Sequence, residues 1–215
     1  HISRWGGGYY DINARGHVVA KPLPGDDTEV ELSAVIEAAQ KKGLSGPLLI
    51  RFQDILRHRV QSLCRAFDEA IERFEYGGQY HGVFPLKVNE LREVVEEVLD
   101  AGKDDAFGLE VGSKSELSAA LALQSNPHSL LICNGYKDAN FIHTALMGTR
   151  LGKRVVLVVE KLDELQNIIE IARSEGVRPQ LGIRLRLLSR STGKWADSGG
   201  EDAKFGLDTA QLMTA

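Results

Sequence analysis

The feature that most constrains this chain is a strand–helix alternation that repeats about every 25 residues from residue 82 onward. Short, almost continuously apolar runs are typical of buried parallel strands, and each is followed by a segment with helical periodicity. The predicted strands are 82–87, 107–110, 130–133, 155–159 and 181–187, and the predicted helices are 91–101, 114–123, 138–146 and 161–175. The alternation therefore predicts an α/β fold, a parallel sheet covered by helices.

Two architectures fit this alternation. A (β/α)8 barrel of the TIM type would need roughly 200 residues at this pitch, and the chain supplies about five of its eight units. A complete five-stranded doubly wound sheet is the alternative, and the pattern alone leaves both open. A further strand at 48–52 and a helix at 54–74 precede the five units.

The first 45 residues read differently from the rest. Two β-like runs, 9–12 and 17–20, flank the turn residues 13–16, which predicts a hairpin. A helix at 29–42 follows, with Gly43 as its stop signal. We therefore assign residues 1–45 to an N-terminal hairpin and helix segment, and residues 46–215 to the βα part.

Composition excludes several classes of protein. Hydrophobic residues make up 43% and charged residues 26% of the chain, and the net charge is −4, so neither disorder nor a nucleic-acid partner is expected. No run approaches the 18 or so apolar residues of a membrane span, which predicts no membrane association. Cys64 and Cys133 lie too far apart for a zinc motif, and we expect reduced thiols in a cytoplasmic protein. The histidines show no paired spacing, so no metal site is predicted.

Polar residues end four of the last five strands. Lys87, Glu110 and Asn134 close three of them, and Arg184 and Arg186 share one face of the fifth. The strand 155–159 is the exception, since it ends Val159-Glu160. Because functional groups of barrels gather at the carboxyl ends of strands, these residues can meet at one mouth.

Each of these residues also has a purely structural explanation. Lys87 can be a solvated strand end, and Glu110 and Asn134 can cap loops. Glu116 can be a first-turn acid favoured by the helix dipole. The two arginines can pair with nearby acids.

Several blocks resemble one family in order along nearly the whole chain. The blocks are YHGVFPLKVN at 80–89, FGLEVGSKSEL at 107–117, LICNGYKD at 131–138, STGKW at 191–195 and KFGL at 204–207. Together they resemble the biosynthetic arginine decarboxylases, which belong to the alanine-racemase-like group of pyridoxal-phosphate enzymes with a fold type III barrel. Val111 stands where alanine is commoner in that family.

The resemblance implies roles for particular residues. Lys87 is the lysine that would hold pyridoxal 5'-phosphate as a Schiff base. Glu110, Glu116 and Asn134 would lie near the cofactor. Arg186 resembles the arginine on the cofactor's hydroxyl side, with Arg184 as the alternative.

The activity implied is decarboxylation of L-arginine to agmatine and CO2, feeding putrescine and spermidine synthesis. Magnesium can accompany such enzymes, and the full-length protein is expected to form a homo-oligomer, a dimer or a tetramer. Two alternatives stay open: a barrel enzyme acting on ornithine, lysine or diaminopimelate, and a non-catalytic regulatory homologue.

Several family features have no match in the sequence. They are the glycine-rich phosphate loop, the histidine that stacks on the cofactor ring, the acid that pairs with the pyridine nitrogen, and the C-terminal β domain. We therefore expect the chain to represent an N-terminal portion that is inactive alone.

Overall fold

The computed structural model describes residues 2–186 and 206–215, which fall into two compact units, 1–76 and 77–215. The first unit contains a three-stranded antiparallel sheet in the order β1-β2-β3. Its elements are α1 (Ile2–Trp5), β1 (Tyr10–Ile12), β2 (Val18–Ala20), β3 (Val30–Glu31), α2 (Leu32–Lys41) and α3 (Gln53–Arg73). The third strand occupies residues that the periodicity assigned to the start of a helix, so α2 begins later than predicted.

The predicted hairpin is confirmed. Tyr10 pairs with Ala20 and Ile12 with Val18 across β1 and β2. The side chain of Asn13 accepts hydrogen bonds from the backbone N–H groups of Arg15 and His17, which closes the turn locally.

The predicted strand at 48–52 is wrong. These residues pair with neither sheet of the described chain, and Leu49 is 80% exposed. A short apolar run does not by itself specify a strand, because a strand also needs a neighbour to pair with. The helix that follows it, α3, lies in the first compact unit, which ends at Tyr76. The domain boundary at 45/46 stays a prediction.

The second unit carries the predicted alternation. Its elements are β4 (Val83–Pro85), a 3-10 turn (Leu86–Val88), α4 (Arg92–Ala101), β5 (Gly108–Val111), α5 (Lys114–Leu123), β6 (Leu130–Cys133), α6 (Ala139–Arg150), β7 (Arg154–Val159), α7 (Leu162–Glu175), β8 (Gln180–Ile183) and α8 (Thr209–Thr214). The five strands pair in parallel in the order β4-β5-β6-β7-β8.

This strand order decides between the two predicted architectures. A doubly wound sheet reverses its strand order at a switch point, whereas a barrel adds each strand beside the previous one. Every strand here lies beside its sequence neighbour, with no reversal. The sheet is therefore a partial barrel unit, and the doubly wound alternative is wrong.

The core of the second unit lies between the sheet and its helices. Along β6 and β7 the buried and half-buried residues alternate, so one face of each strand packs inward against helices. The central side chains are each at most 1% exposed: Leu109, Leu131 and Leu157 from strands, and Leu117, Ile142 and Ile168 from helices. This packing fixes the strands and hence the residues at their ends.

Two strand ends differ from their predictions. The fourth strand stops at Pro85, and Lys87 lies in the 3-10 turn that follows. Proline has no N–H to donate, which favours leaving the ladder there. The eighth strand stops at Ile183, after which Leu185 forms a single parallel bridge with Leu207, while the predicted end at 187 lies outside the described residues.

Candidate functional site

The carboxyl ends of the five parallel strands share one edge of the sheet, and a cleft of about 670 Å³ lies there. Its lining includes the residues that follow or end the strands, together with a first-turn acid of α5. These side chains are Lys87, Glu110, Glu116, Asn134, Glu160 and Arg184. Four of the five site residues predicted from the sequence therefore meet in one cleft, and Arg184 is the arginine that joins them.

Lys87 is the primary amine of the cleft. It is held by the 3-10 turn Leu86–Val88, whose Leu86 is buried in the core while the Lys87 side chain is 67% exposed. Its Nζ lies 3.9 Å from Glu110 Oε1. The geometry gives an accessible amine beside one carboxylate.

Glu110 and Asn134 form a fixed pair on adjacent strands. The Glu110 side chain is buried in β5, and Asn134 Nδ2 donates a hydrogen bond of 2.9 Å to its Oε1. Asn134 is itself fixed, because its backbone N–H donates to the carbonyl of Val111. The oxygen that faces Lys87 is therefore also the one that Asn134 holds.

Glu116 stabilises the turn between β5 and α5. Its Oε2 accepts a hydrogen bond of 2.7 Å from the N–H of Gly112, and its own N–H donates to Ser113 Oγ. Glu116 is therefore both an acid that stabilises the first turn of α5 and a residue of the cleft lining.

Glu160 also lines the cleft and is a functional candidate that was not predicted from the sequence. Its side chain is fully buried at the end of β7, and its Oε1 accepts hydrogen bonds from Arg184 Nη1 at 3.0 Å and from the N–H of Gly135 at 3.1 Å. The sequence does carry a signal for Glu160, because this polar residue directly follows an apolar strand. Glu110 and Asn134 were predicted from the same kind of position.

Arg184 and Arg186, which follow β8, have different surroundings. Arg184 lines the cleft, with its side chain 48% exposed. Arg186 Nη2 lies 3.3 Å from Asp208 Oδ2, and Asp208 caps α8. Arg186 as the cofactor-side arginine stays a prediction, while the geometry favours Arg184.

Two buried groups behind the cleft have shifted pKa values. Burial lowers the pKa of Lys137, and the nearby Glu164 and Glu160 oppose that shift. Burial raises the pKa of Cys133 to about 12, so this cysteine remains a neutral thiol in the core.

Other sites are poorer candidates. A groove of about 830 Å³ in the first unit runs beside β3 and α2 and offers no lysine, cysteine, serine or histidine. Within residues 2–186 and 206–215, no cluster of three histidine, cysteine or acidic side chains is arranged to hold a metal. In the same ranges, no helix combines the length and apolar character needed to cross a membrane.

Sequential parallel βα units with polar groups gathered at the carboxyl edge define an α/β protein of the barrel class. Within that class, the chain belongs to the family described as pyridoxal-dependent decarboxylase, pyridoxal binding domain, whose profile matches residues 57–215.

Relatives in this family agree over almost the whole chain. The biosynthetic arginine decarboxylase of Pseudomonas aeruginosa is 48% identical over 213 residues, and that of Synechococcus sp. (strain RCC307) is 47% identical over 212 residues. Each alignment covers 99% of this chain and 33% of the relative. The chain thus spans about a third of the length of these relatives.

Solved structures give the same fold. The biosynthetic arginine decarboxylase of Campylobacter jejuni superposes with a TM-score of 0.85 at 30% identity, covering 99% of this chain and 33% of that one. A diaminopimelate decarboxylase from M. jannaschi superposes with a TM-score of 0.68 at 21% identity, over 96% of this chain and 42% of that one. The second likeness concerns the fold alone.

Proposed function

We propose that the protein is an arginine decarboxylase that converts L-arginine to agmatine and CO2 with pyridoxal 5'-phosphate. The observation that carries this proposal is the exposed Lys87 amine beside the Glu110 carboxylate in the cleft of a pyridoxal-binding domain. The names of relatives that are 44–48% identical across the chain support arginine as the substrate.

The residues of the cleft fit the cofactor. An accessible amine is what an aldehyde requires, and a half-exposed guanidinium suits an anionic oxygen. Lys87 would hold the cofactor, with Glu110, Glu116, Asn134 and Arg184 around it. When bound, pyridoxal phosphate supplies the electron sink for loss of the carboxyl group.

The side chains of the cleft have separable tasks in this proposal. Glu110 Oε1 lies close enough to Lys87 Nζ to exchange a proton with it after a short approach of the flexible lysine. Asn134 keeps that carboxylate oriented, and Glu116 keeps the β5–α5 turn in place. Arg184 directs positive charge into the cleft.

The wider setting follows from the same proposal. Agmatine is a precursor of putrescine and spermidine, so the reaction would feed polyamine synthesis. We further infer a cytoplasmic homo-oligomer, a dimer or a tetramer, as the resemblance implies.

The first prediction tests this function in the full-length protein. Release of labelled CO2 should be fastest from arginine when arginine, ornithine, lysine and diaminopimelate are compared. Lys87→Ala should abolish both this release and the absorption band of the covalently bound cofactor. Lys103→Ala, which removes a lysine of similar exposure far from the cleft, should change neither.

Three outcomes would contradict the proposal. Preference for another amino acid would favour a relative with a different substrate. Cofactor binding without CO2 release from any of the four would favour the non-catalytic homologue. An unchanged absorption band in Lys87→Ala would refute the assignment of Lys87.

A further inference from the structure

A chain of four charges extends from the cleft into the protein. Arg184 Nη1 lies 3.0 Å from Glu160 Oε1, and Lys137 Nζ lies 3.5 Å from Glu164 Oε2. The side chains of Glu160 and Lys137 have no exposed surface, and that of Glu164 is 6% exposed. Only the Arg184 end reaches solvent, inside the cleft.

Backbone groups join the two ion pairs. Gly135 donates its N–H to Glu160 Oε1, and its carbonyl accepts a hydrogen bond of 2.5 Å from Lys137 Nζ. The two oxygens of Glu164 accept from the N–H groups of Lys137 and Glu160, at 3.0 and 2.9 Å. The β6–α6 loop, the end of β7 and the start of α7 are therefore held as one hydrogen-bonded unit.

Such a buried cluster is a poor means of stabilising a fold. Removing charges from water costs about as much as their attraction returns, and apolar replacements are often neutral or stabilising. Buried charges fix geometry more effectively, because their hydrogen bonds tolerate few alternative arrangements. The part of this cluster that reaches the cleft is the guanidinium of Arg184.

One buried oxygen of the cluster has no hydrogen-bond partner among the described residues. This atom is Glu160 Oε2, although Glu160 lines the cleft. Its other oxygen already accepts two hydrogen bonds. The carboxylate is thus oriented by its protein contacts, with acceptor capacity left over.

We propose that Glu160 is the positioning residue for Arg184, and that the buried Lys137–Glu164 pair fixes Glu160 in turn. This inference rests on the proposed function, because the value of a fixed guanidinium depends on an anionic group in the cleft. Glu160 itself need not touch the cofactor or the substrate.

The test uses Glu160→Gln in the full-length protein, which keeps the shape and one amide oxygen but removes the charge. The dissociation constant for pyridoxal phosphate should rise by about tenfold, as expected for loss of a charged hydrogen-bond partner. Asp163→Asn removes an exposed carboxylate from the first turn of α7, three residues after Glu160, and should leave the constant unchanged. The melting temperature of each variant is measured in parallel.

A double-mutant cycle separates positioning from a general structural effect. If Glu160 acts through Arg184, Glu160→Gln should weaken cofactor binding in the wild type and add little in an Arg184→Gln background. An equal effect in both backgrounds, or no effect in either, would overturn the inference. If Glu160→Gln does not fold, Glu160→Asp, which retains the charge but withdraws the carboxylate, enters the same cycle.

The two proposals fail differently. A wild-type protein that neither binds pyridoxal phosphate nor releases CO2 contradicts the proposed function. A fully active wild type in which Glu160→Gln behaves like Asp163→Asn contradicts only the role of Glu160.

Discussion

At the scale of single residues, two carboxylate oxygens of the site each contact both a cation and a hydrogen-bond donor. Glu110 Oε1 faces Lys87 Nζ and accepts from Asn134 Nδ2, so one oxygen links an accessible amine to a fixed amide. Glu160 Oε1 likewise links Arg184 to the backbone of Gly135. In both cases a buried carboxylate lies beside a cation that lines the cleft.

The second prediction concerns Glu110. Glu110→Gln keeps an oxygen for Asn134 but removes the negative charge and the proton-accepting ability beside Lys87. In the full-length protein kcat should fall by about a hundredfold, the size typical of a lost acid–base group. Steady-state kinetics checks this, with Glu110→Asp as a partial rescue, and an unchanged kcat would exclude proton exchange by Glu110.

At the scale of elements, two βα turns are stabilised by the same type of hydrogen bond, from a backbone N–H to a glutamate in the first turn of the helix. Glu116 and Glu164 are each the third residue of their helix, and each accepts the N–H of the residue two positions before the helix begins. In α5 that residue is Gly112, and in α7 it is Glu160. The repeated device fixes the backbone on both sides of the cleft.

The third prediction concerns Gly135, which has φ +77°, and where a Cβ would lie 2.8 Å from the carbonyl oxygen of Gly112. Gly135→Ala should destabilise the protein by about 3 kcal/mol, since backbone strain and a backbone clash add. Gly152→Ala is the matched control, because Gly152 has φ +83° but open space around it, and it should cost only about 1 kcal/mol. Denaturant unfolding measures both, and equal costs would contradict the clash.

The fourth prediction concerns the start of α6, where Asp138 accepts from the N–H of Phe141 and lies 2.7 Å from Lys114 Nζ. Lys114 and then the Phe141 N–H lower the pKa of Asp138 below its ordinary 3.8. The carboxylate therefore stabilises the fold above that value, and this stabilisation is lost as pH falls through the lowered pKa.

Asp138→Asn keeps the capping oxygen and removes only the charge. Its melting temperature should lie below that of the wild type at neutral pH, and the two should converge in acid. The difference should also be small in Lys114→Met, which lacks the cation. A gap that is the same at neutral and acidic pH would show that charge is not its cause.

At the scale of the whole molecule, the parallel sheet formed by the described residues ends at β4 on one side and at β8 on the other. Three apolar residues on and just after β8 are about half exposed: Leu181 at 43%, Ile183 at 46% and Leu185 at 49%. Exposed apolar edges of this kind favour further pairing or association. The two arginine decarboxylases compared above are each about three times as long as this chain.

The fifth prediction follows from this open sheet. Residues 1–215 expressed alone should release no measurable CO2 from arginine, and should associate in light-scattering measurements. The full-length protein provides the positive control. Robust turnover by residues 1–215 would show that the cleft described here is sufficient for the reaction.

The sequence by itself determined most of the elements and which polar residues follow or end the strands. Alternating and helical periodicities are local signals, so the βα units and the hairpin could be predicted, as could Lys87, Glu110 and Asn134 near the ends of their strands. The resemblance predicted the family, which the comparison confirms. Periodicity could not exclude a strand at 48–52, because pairing depends on residues far away in the chain.

Only the tertiary structure decided how these parts combine. The sequential strand order separates a barrel from a doubly wound sheet, and it depends on which strands find each other in space. The ends of β4 and β8 determine where Lys87 lies and that Arg184, rather than Arg186, lines the cleft. Glu160 joins the candidate site through Gly135 and Arg184, which are distant in sequence and bind its buried carboxylate.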